Sequence, residues 1–213
     1  SVDHSQHGFF TESFIDEAAK AAGKDSFEFR AELLKDSPRH LAVLSKAAEE
    51  SGWTRPLQQG RGRGISLQES FGSIVAQVVE VTVIDGKLSV DRVVAVIDAG
   101  IAVAPDGIAA QLESGIIYGL TAALHGEITI ENGSIAQSNF DDYKSVRMDE
   151  APKIETHIIN SGHDIGGAGE PGTPGIAPAL ANAVFDATGL RIRQLPLGNF
   201  DLNYQAEESG EVA

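Results

Sequence analysis

The chain has 213 residues, 42% of them hydrophobic, a formal net charge of −15 and a pI near 4.7. That size fits one large domain or two small ones with a real core, and the acidic balance argues against nucleic acid or an anionic membrane surface as partner, since both need a basic face. Zero cysteines exclude disulfides, thiolate zinc sites and an iron–sulfur cluster held by this chain.

Taken in order, residues 1–10, SVDHSQHGFF, are polar and Gly-containing. His4 and His7 have no third ligand near them in sequence, which disfavours a metal site. Residues 11–22, TESFIDEAAKAA, predict a helix with Phe14, Ile15, Ala18, Ala19 and Ala22 as its apolar face and Gly23 as its stop. A second short helix is expected over 25–34, with Phe27 and Leu34 inward. Pro38 opens a third, whose buried stripe is Leu41, Leu44, Ala48 and Trp53. Residues 1–56 thus form a small helical subregion whose role is packing.

Residues 57–64, LQQGRGRG, look like a flexible basic break. Arg61 and Arg63 beside bare glycine backbone suit a phosphate, and a solvated linker fits as well. From Ile65 the periodicity changes. Ile74–Ile84 is long and β-branched, Asp85-Gly86 signals a hairpin turn, and Leu88–Gly100 returns as its partner, apolar enough to be buried on at least one face. Pro105 and Asp106 start a helix to Leu124, in which Ile108, Leu112, Ile116, Leu120 and Leu124 recur every four residues. Gln111 lies one residue off that apolar line near the first turn, so its amide needs partners from backbone or a polar ligand. Gly115 and Gly119 imply that something packs closely on this helix. Residues 126–140 predict two strands around Asn132-Gly133, Asp141 and Asp142 an exposed loop, and Lys153–Asn160 a further strand. The region to be ordered as an α+β unit is 57–197, and the acidic tail 198–213 is expected to be disordered.

The strand at 153–160 feeds the most distinctive stretch, GGAGEPGTPGIAPALANAVFDATG, residues 166–189, with five glycines in its first ten residues. Thr173 and Pro174 suit the N-cap and first position of a helix whose buried face is Ile176, Leu180, Val184 and Ala187, and Gly189 is the expected stop. Glu170 then stands just ahead of a helix N-terminus that favours its ionised form. A tight turn whose acid only caps the helix is the plainer alternative. Residues 167–172 also satisfy G-x-G-x-x-G. A dinucleotide fold needs that pattern at a first strand–helix turn with an acid on a second strand. Here Asp186 falls inside the same helix, Pro171 and Pro174 interrupt its start, and too few residues follow for a second βαβ half.

Five stretches, SVDHSQHGFFTESFIDEAA, GRGRGISLQESFGSIVAQVVEV, VIDAGIAVAPDGIAAQLESGIIYGL, GEITIENGSIAQSNFDDY and GGAGEPGTPGIAPALANAVFDATG, cover nearly the whole chain in order. Together they resemble the C-terminal part of the large, molybdenum-binding subunit of the xanthine dehydrogenase and aldehyde oxidase family. The branch they look most like is the isoquinoline 1-oxidoreductase beta-subunit type. The resemblance implies an α+β fold belonging to a molybdopterin-binding domain: helices first, then mixed strands with two long helices packed on them. It implies that Glu170 is the general base beside the molybdenum and that Gln111, in DGIAAQLESG, touches the pterin. Gly167, Ala168 and Gly169 would let the cofactor approach. It also implies hydroxylation of an aldehyde or N-heteroaromatic substrate with water-derived oxygen.

Departures from the family pattern set limits. Ser114 stands where the family often has glycine. The family's Gly-Gly-Phe and Met-Gly-Gln-Gly cofactor loops are absent, as is the arginine that would precede Ser1, so Ser1 and Val2 would end a substrate-channel loop. The chain opens on Ser1 rather than Met and is expected to be a piece of a longer polypeptide. Alone it should hold neither cofactor nor activity. The expected setting is the remainder of the large subunit, carrying molybdopterin in its cytosine dinucleotide form, with iron–sulfur clusters on a small partner subunit. No metal ligands, nucleic acid or transmembrane segment are expected, and the compartment, periplasm or cytoplasm, stays open. Two rivals stand beside this reading: a degenerate, non-catalytic domain serving assembly, and a protein that binds a small anion on the Gly-rich loop.

Overall fold

The computed structural model describes residues 1–203; the end of the acidic tail, 204–213, lies outside the described residues. Three helices come first: α1 (Asp3–Ala21), α2 (Ser26–Leu33) and α3 (Pro38–Ser51). Strands β1 (Arg61–Ser70), β2 (Ser73–Ile84) and β3 (Lys87–Asp98) follow, then helix α4 (Pro105–Leu124). A small exposed ladder, β4 (Ile130–Glu131) and β5 (Ser134–Ile135), precedes strand β6 (Lys153–Ile159) and helix α5 (Ile176–Thr188). The main sheet has the order β1-β2-β3-β6; β1, β2 and β3 run antiparallel and β6 lies parallel to β3. This is the expected mixture of an opening helical region and strands carrying two long helices.

Helices cover both faces of the sheet, which explains why β2 reads as an unbroken apolar run rather than an alternating one. On one face Val75, Val79, Val93 and Ile97 meet Ile108, Leu112, Ile116 and Leu120 of α4 and Ile176, Leu180 and Val184 of α5. On the other, Ile74, Ala76, Val78, Val94 and Val96 meet Val43, Leu44 and Ala47 of α3, with Phe27 and Leu34 packed at the margin.

Four local expectations are corrected. The helix expected from Thr11 starts at Asp3 and buries a different face: Phe9, Glu12, Asp16 and Ala19 point inward, while Phe14 is 69% exposed. The cause is charge pairing, which an apolar-periodicity search does not see. Arg30 Nε donates to Glu12 Oε2 at 2.9 Å, and Arg191 Nη1 donates to Asp16 Oδ2 at 2.8 Å; Glu12, Asp16 and Arg30 are buried and Arg191 is partly so.

The supposed flexible break is β1. Alternation places Gly62 and Gly64 beneath α5, where a Cβ would fall on the backbone of Ala183, Ala187 or Ala179, while the arginines point to the opposite face. Arg63 pairs with Glu80 at 2.8 Å directly across the ladder and donates to the carbonyls of Gly52, Trp53 and Arg55. Arg61 pairs with Asp91 at 3.2 Å, so both guanidiniums meet protein carboxylates.

The helix expected from Thr173 begins at Ile176, with Gly175 at the cap and no side-chain cap bond. Glu170 is therefore a loop residue well before the first turn, beyond the short reach of a helix dipole. The stop at Gly189 is in place, with φ 76°. Finally, packing continues past Leu197: Leu202 is only 6% exposed within the main core.

Candidate functional site

The loop from Gly166 to Gly175 closes over one end of the sheet, and its shape is fixed from below. Its N–H groups at Gly166 and Gly167 donate to Ala99 O at 3.0 Å and Phe71 O at 2.8 Å. Its carbonyls are taken by buried side chains of the sheet. Ser73 Oγ donates to Gly167 O at 2.6 Å, Gln77 Nε2 to Gly172 O at 2.6 Å, and Ser66 Oγ to Gly175 O at 2.7 Å. Between these points Thr173 N–H donates to Glu170 O at 2.9 Å, so Glu170 starts a tight turn.

The glycines divide by neighbour. A Cβ on Gly166 would overlap Ser73 and Gly72, one on Gly167 would stand 3.0 Å from the Phe71 Cβ, and one on Gly172 would stand 2.8 Å from Leu112 O. These positions let the loop lie flat on the β1–β2 turn and on α4. Gly169 differs: the nearest atom to a Cβ there is Gln111 Nε2 at 3.8 Å, and the residue is exposed. The same packing explains Gly115 and Gly119 of α4, which face Thr173 and Ile176 as their spacing implied.

The expected site residues come together at this loop. The Gln111 side chain leaves α4 at the exposed surface and its Nε2 approaches Gly169 O at 3.4 Å, 58 residues away in sequence. Gly167, Ala168 and Gly169 form the loop crest, and the Glu170 side chain is 59% exposed. Among the described residues, the N–H groups of Ala168, Gly169 and Glu170 find no protein acceptor. The site thus presents three backbone donors, one primary amide and one carboxylate on one open face. That donor set fits a polar ligand rich in acceptor atoms, placed against an exposed carboxylate. Among the described residues no group of three or more His, Asp or Glu could hold a metal ion.

Sequence reasoning passed over several neighbours. Phe71, at φ 55° in the β1–β2 turn, carries the carbonyl that holds Gly167, and its ring meets His4 edge-on at 5.1 Å. Asp98, at the end of β3, accepts from Arg39 Nε at 2.8 Å, Gly100 N–H at 2.8 Å and Ser161 Oγ at 2.7 Å, tying together the segments that enter the loop. Burial pushes this carboxyl up, but those three donors outweigh it and hold it below its ordinary value. A lone polar residue inside an apolar strand, Gln77 in IVAQVV, was the available signal for the anchors.

Residues 15–152 match the molybdopterin cofactor-binding domain family, and the chain belongs to it. Two of its curated relatives are members of the xanthine dehydrogenase family. One is the isoquinoline 1-oxidoreductase beta subunit of Brevundimonas diminuta, 35% identical over 91% of this chain and 25% of the relative. A nicotinate dehydrogenase subunit of Pseudomonas putida is 34% identical over 92% of this chain and 18% of the relative. The chain therefore spans a quarter or less of the length of these two relatives. Among solved structures, aldehyde oxidoreductase from Desulfovibrio gigas shares the fold with a TM-score of 0.64, covering 91% of this chain and 40% of that one at 14% identity.

Proposed function

We propose that this chain is the part of a molybdenum hydroxylase large subunit that supplies the catalytic base, acting on an aldehyde or an N-heteroaromatic substrate. The observation that carries the proposal is the convergence of Gln111 on the exposed 167–170 crest, where the N–H groups of Ala168, Gly169 and Glu170 are unpaired among the described residues. Gln111 and the backbone of Gly167, Ala168 and Gly169 would hold the molybdopterin, which in this branch would be the cytosine dinucleotide form. When bound, the molybdenum cofactor supplies a two-electron acceptor for the substrate carbon. Glu170 takes a proton from a water-derived nucleophile through a carboxylate oxygen, the role of a general base within hydrogen-bond reach of the proton it removes. The bare crest keeps side chains out of the space where cofactor and substrate meet. The names of the relatives, which act on isoquinoline and nicotinate, support the substrate class. The remaining cofactor contacts would come from the rest of the large subunit, and electrons would leave through iron–sulfur clusters on a small partner subunit.

The test is Glu170→Gln in the full-length complex, with molybdenum content measured alongside turnover. Loss of a general base predicts a fall in kcat of about 10²- to 10⁴-fold with molybdenum content unchanged. Wild-type turnover would instead leave the domain as a non-catalytic assembly element.

A further inference from the structure

Three side chains beneath the loop share one design. Ser73 and Gln77 are four residues apart on β2 and so face the same side of the sheet, and Ser66 on β1 is paired across the ladder with Gln77. All three belong to wholly buried residues in an otherwise apolar layer. Each donates to a different carbonyl of the loop, at Gly167, Gly172 and Gly175. A carbonyl can only accept, so Gln77 must present its Nε2 to Gly172 O. Its Oε1 is then buried with no partner among the described residues. Valine or leucine would fill the same layer without that cost, so packing alone does not account for a glutamine here. What the amide and the two hydroxyls accomplish is directional. They draw the loop carbonyls down to the sheet on either side of Glu170, which leaves the N–H groups of the crest and the Glu170 carboxylate facing outward.

We infer that Gln77, assisted by Ser66 and Ser73, is a positioning residue for Glu170: it fixes the Gly172 end of the turn from which the base projects. This rests on the proposed role of Glu170, and the experiment separates the two ideas. Gln77→Leu removes the donor and keeps the bulk. Gln77→Glu restores a donor to Gly172 O only when its carboxyl is protonated. Both are made in the full-length complex and read in two ways. Hydrogen exchange is followed on peptides covering 166–175 and 176–188. Steady-state kinetics are followed as kcat and KM across pH, with molybdenum content controlled.

In Gln77→Leu, exchange in 166–175 should rise at least tenfold while 176–188 stays protected. kcat should fall about 10- to 100-fold at unchanged KM, the scale of a misplaced catalytic group. In Gln77→Glu, kcat should recover towards wild type as pH falls, relative to the wild-type profile. Where Gln77→Leu does not assemble, Ser73→Ala, which frees only Gly167 O, should give the same pattern at smaller amplitude. Unchanged exchange in 166–175 overturns the inference. So does raised exchange with wild-type kcat, or a loss of kcat explained by lost molybdenum. If Glu170→Gln retains activity while Gln77→Leu still loosens the loop, the catalytic reading fails and the anchoring of the loop stands.

Discussion

Two glycine-rich stretches in this protein have opposite meanings. In β1, Gly62 and Gly64 are small because α5 lies on the strand itself; Arg63 between them is spent on Glu80 and carbonyl groups, and Arg61 before them pairs with Asp91. In the 166–175 loop, Gly166 and Gly172 are likewise small because protein packs on them, but Gly169 opens outward beside Gln111 and Glu170. A glycine run reports close approach. Only the third dimension says whether the approaching body is the protein or a ligand, and it says so through the donors left over. On β1 the Arg63 guanidinium is consumed by Glu80 and three carbonyls; on the loop crest three N–H groups have no acceptor among the described residues.

That contrast can be attacked from either side. The largest stability effect is expected on the packing side. Arg63→Ala would leave Glu80, which is 8% exposed, short of its principal counter-charge. Breaking a buried pair this way costs about 3–5 kcal/mol, and Arg92 at 3.6 Å from Glu80 should keep the loss near the lower end. Chemical denaturation measures it. Gly64→Ala, which drives a methyl into the α5 backbone, should cost about 1–3 kcal/mol through overpacking, read by the same denaturation. A loss below ~0.5 kcal/mol at Gly64 would mean that α5 does not sit where described.

Acid should expose the charge pairs in a more graded way. Asp98 is held below its ordinary value against burial by Arg39, Gly100 N–H and Ser161. Arg92, and then Lys153, bring Glu155 down to about 2 against its burial. Both carboxyls are more acidic folded than unfolded. Their stabilisation is complete above the unfolded value of about 4 and is lost as pH falls from there towards about 2. The denaturation midpoint should hold from pH 7 to 5 and then drop, and Asp98→Asn should flatten part of that drop.

Much of this architecture is legible in the sequence. The D-G hairpin, the Pro105 helix start, the Gly189 stop and the Gly115/Gly119 contact all depend on local rules, and the structure carries each of them. What escapes local rules is side-chain partnership at long range. Glu12 and Asp16 turn inward because Arg30 and Arg191 are buried against them, and Arg191 arrives from 175 residues away. The RGRG strand looks flexible until α5 is placed on its glycines. Ahead of the helix at Ile176 the Gly172 carbonyl is held by Gln77, while Gly175 O accepts both Ser66 Oγ and the Ala179 N–H of the first helical turn. At the site, Glu170, Gln111 and the crest glycines were reached through resemblance and local chemistry. The carbonyl anchors became visible only in three dimensions.

The central claim is that the crest is bare for a ligand and not for packing, and Gly169→Val in the full-length complex tests it most directly. Space around Gly169 predicts a stability change of no more than about 0.5 kcal/mol, a shift of only about 1–2 °C in melting temperature, while bound molybdopterin or turnover falls at least tenfold. A variant that keeps both its cofactor and its turnover would contradict the account, because the open side of the loop would then face nothing that matters to function.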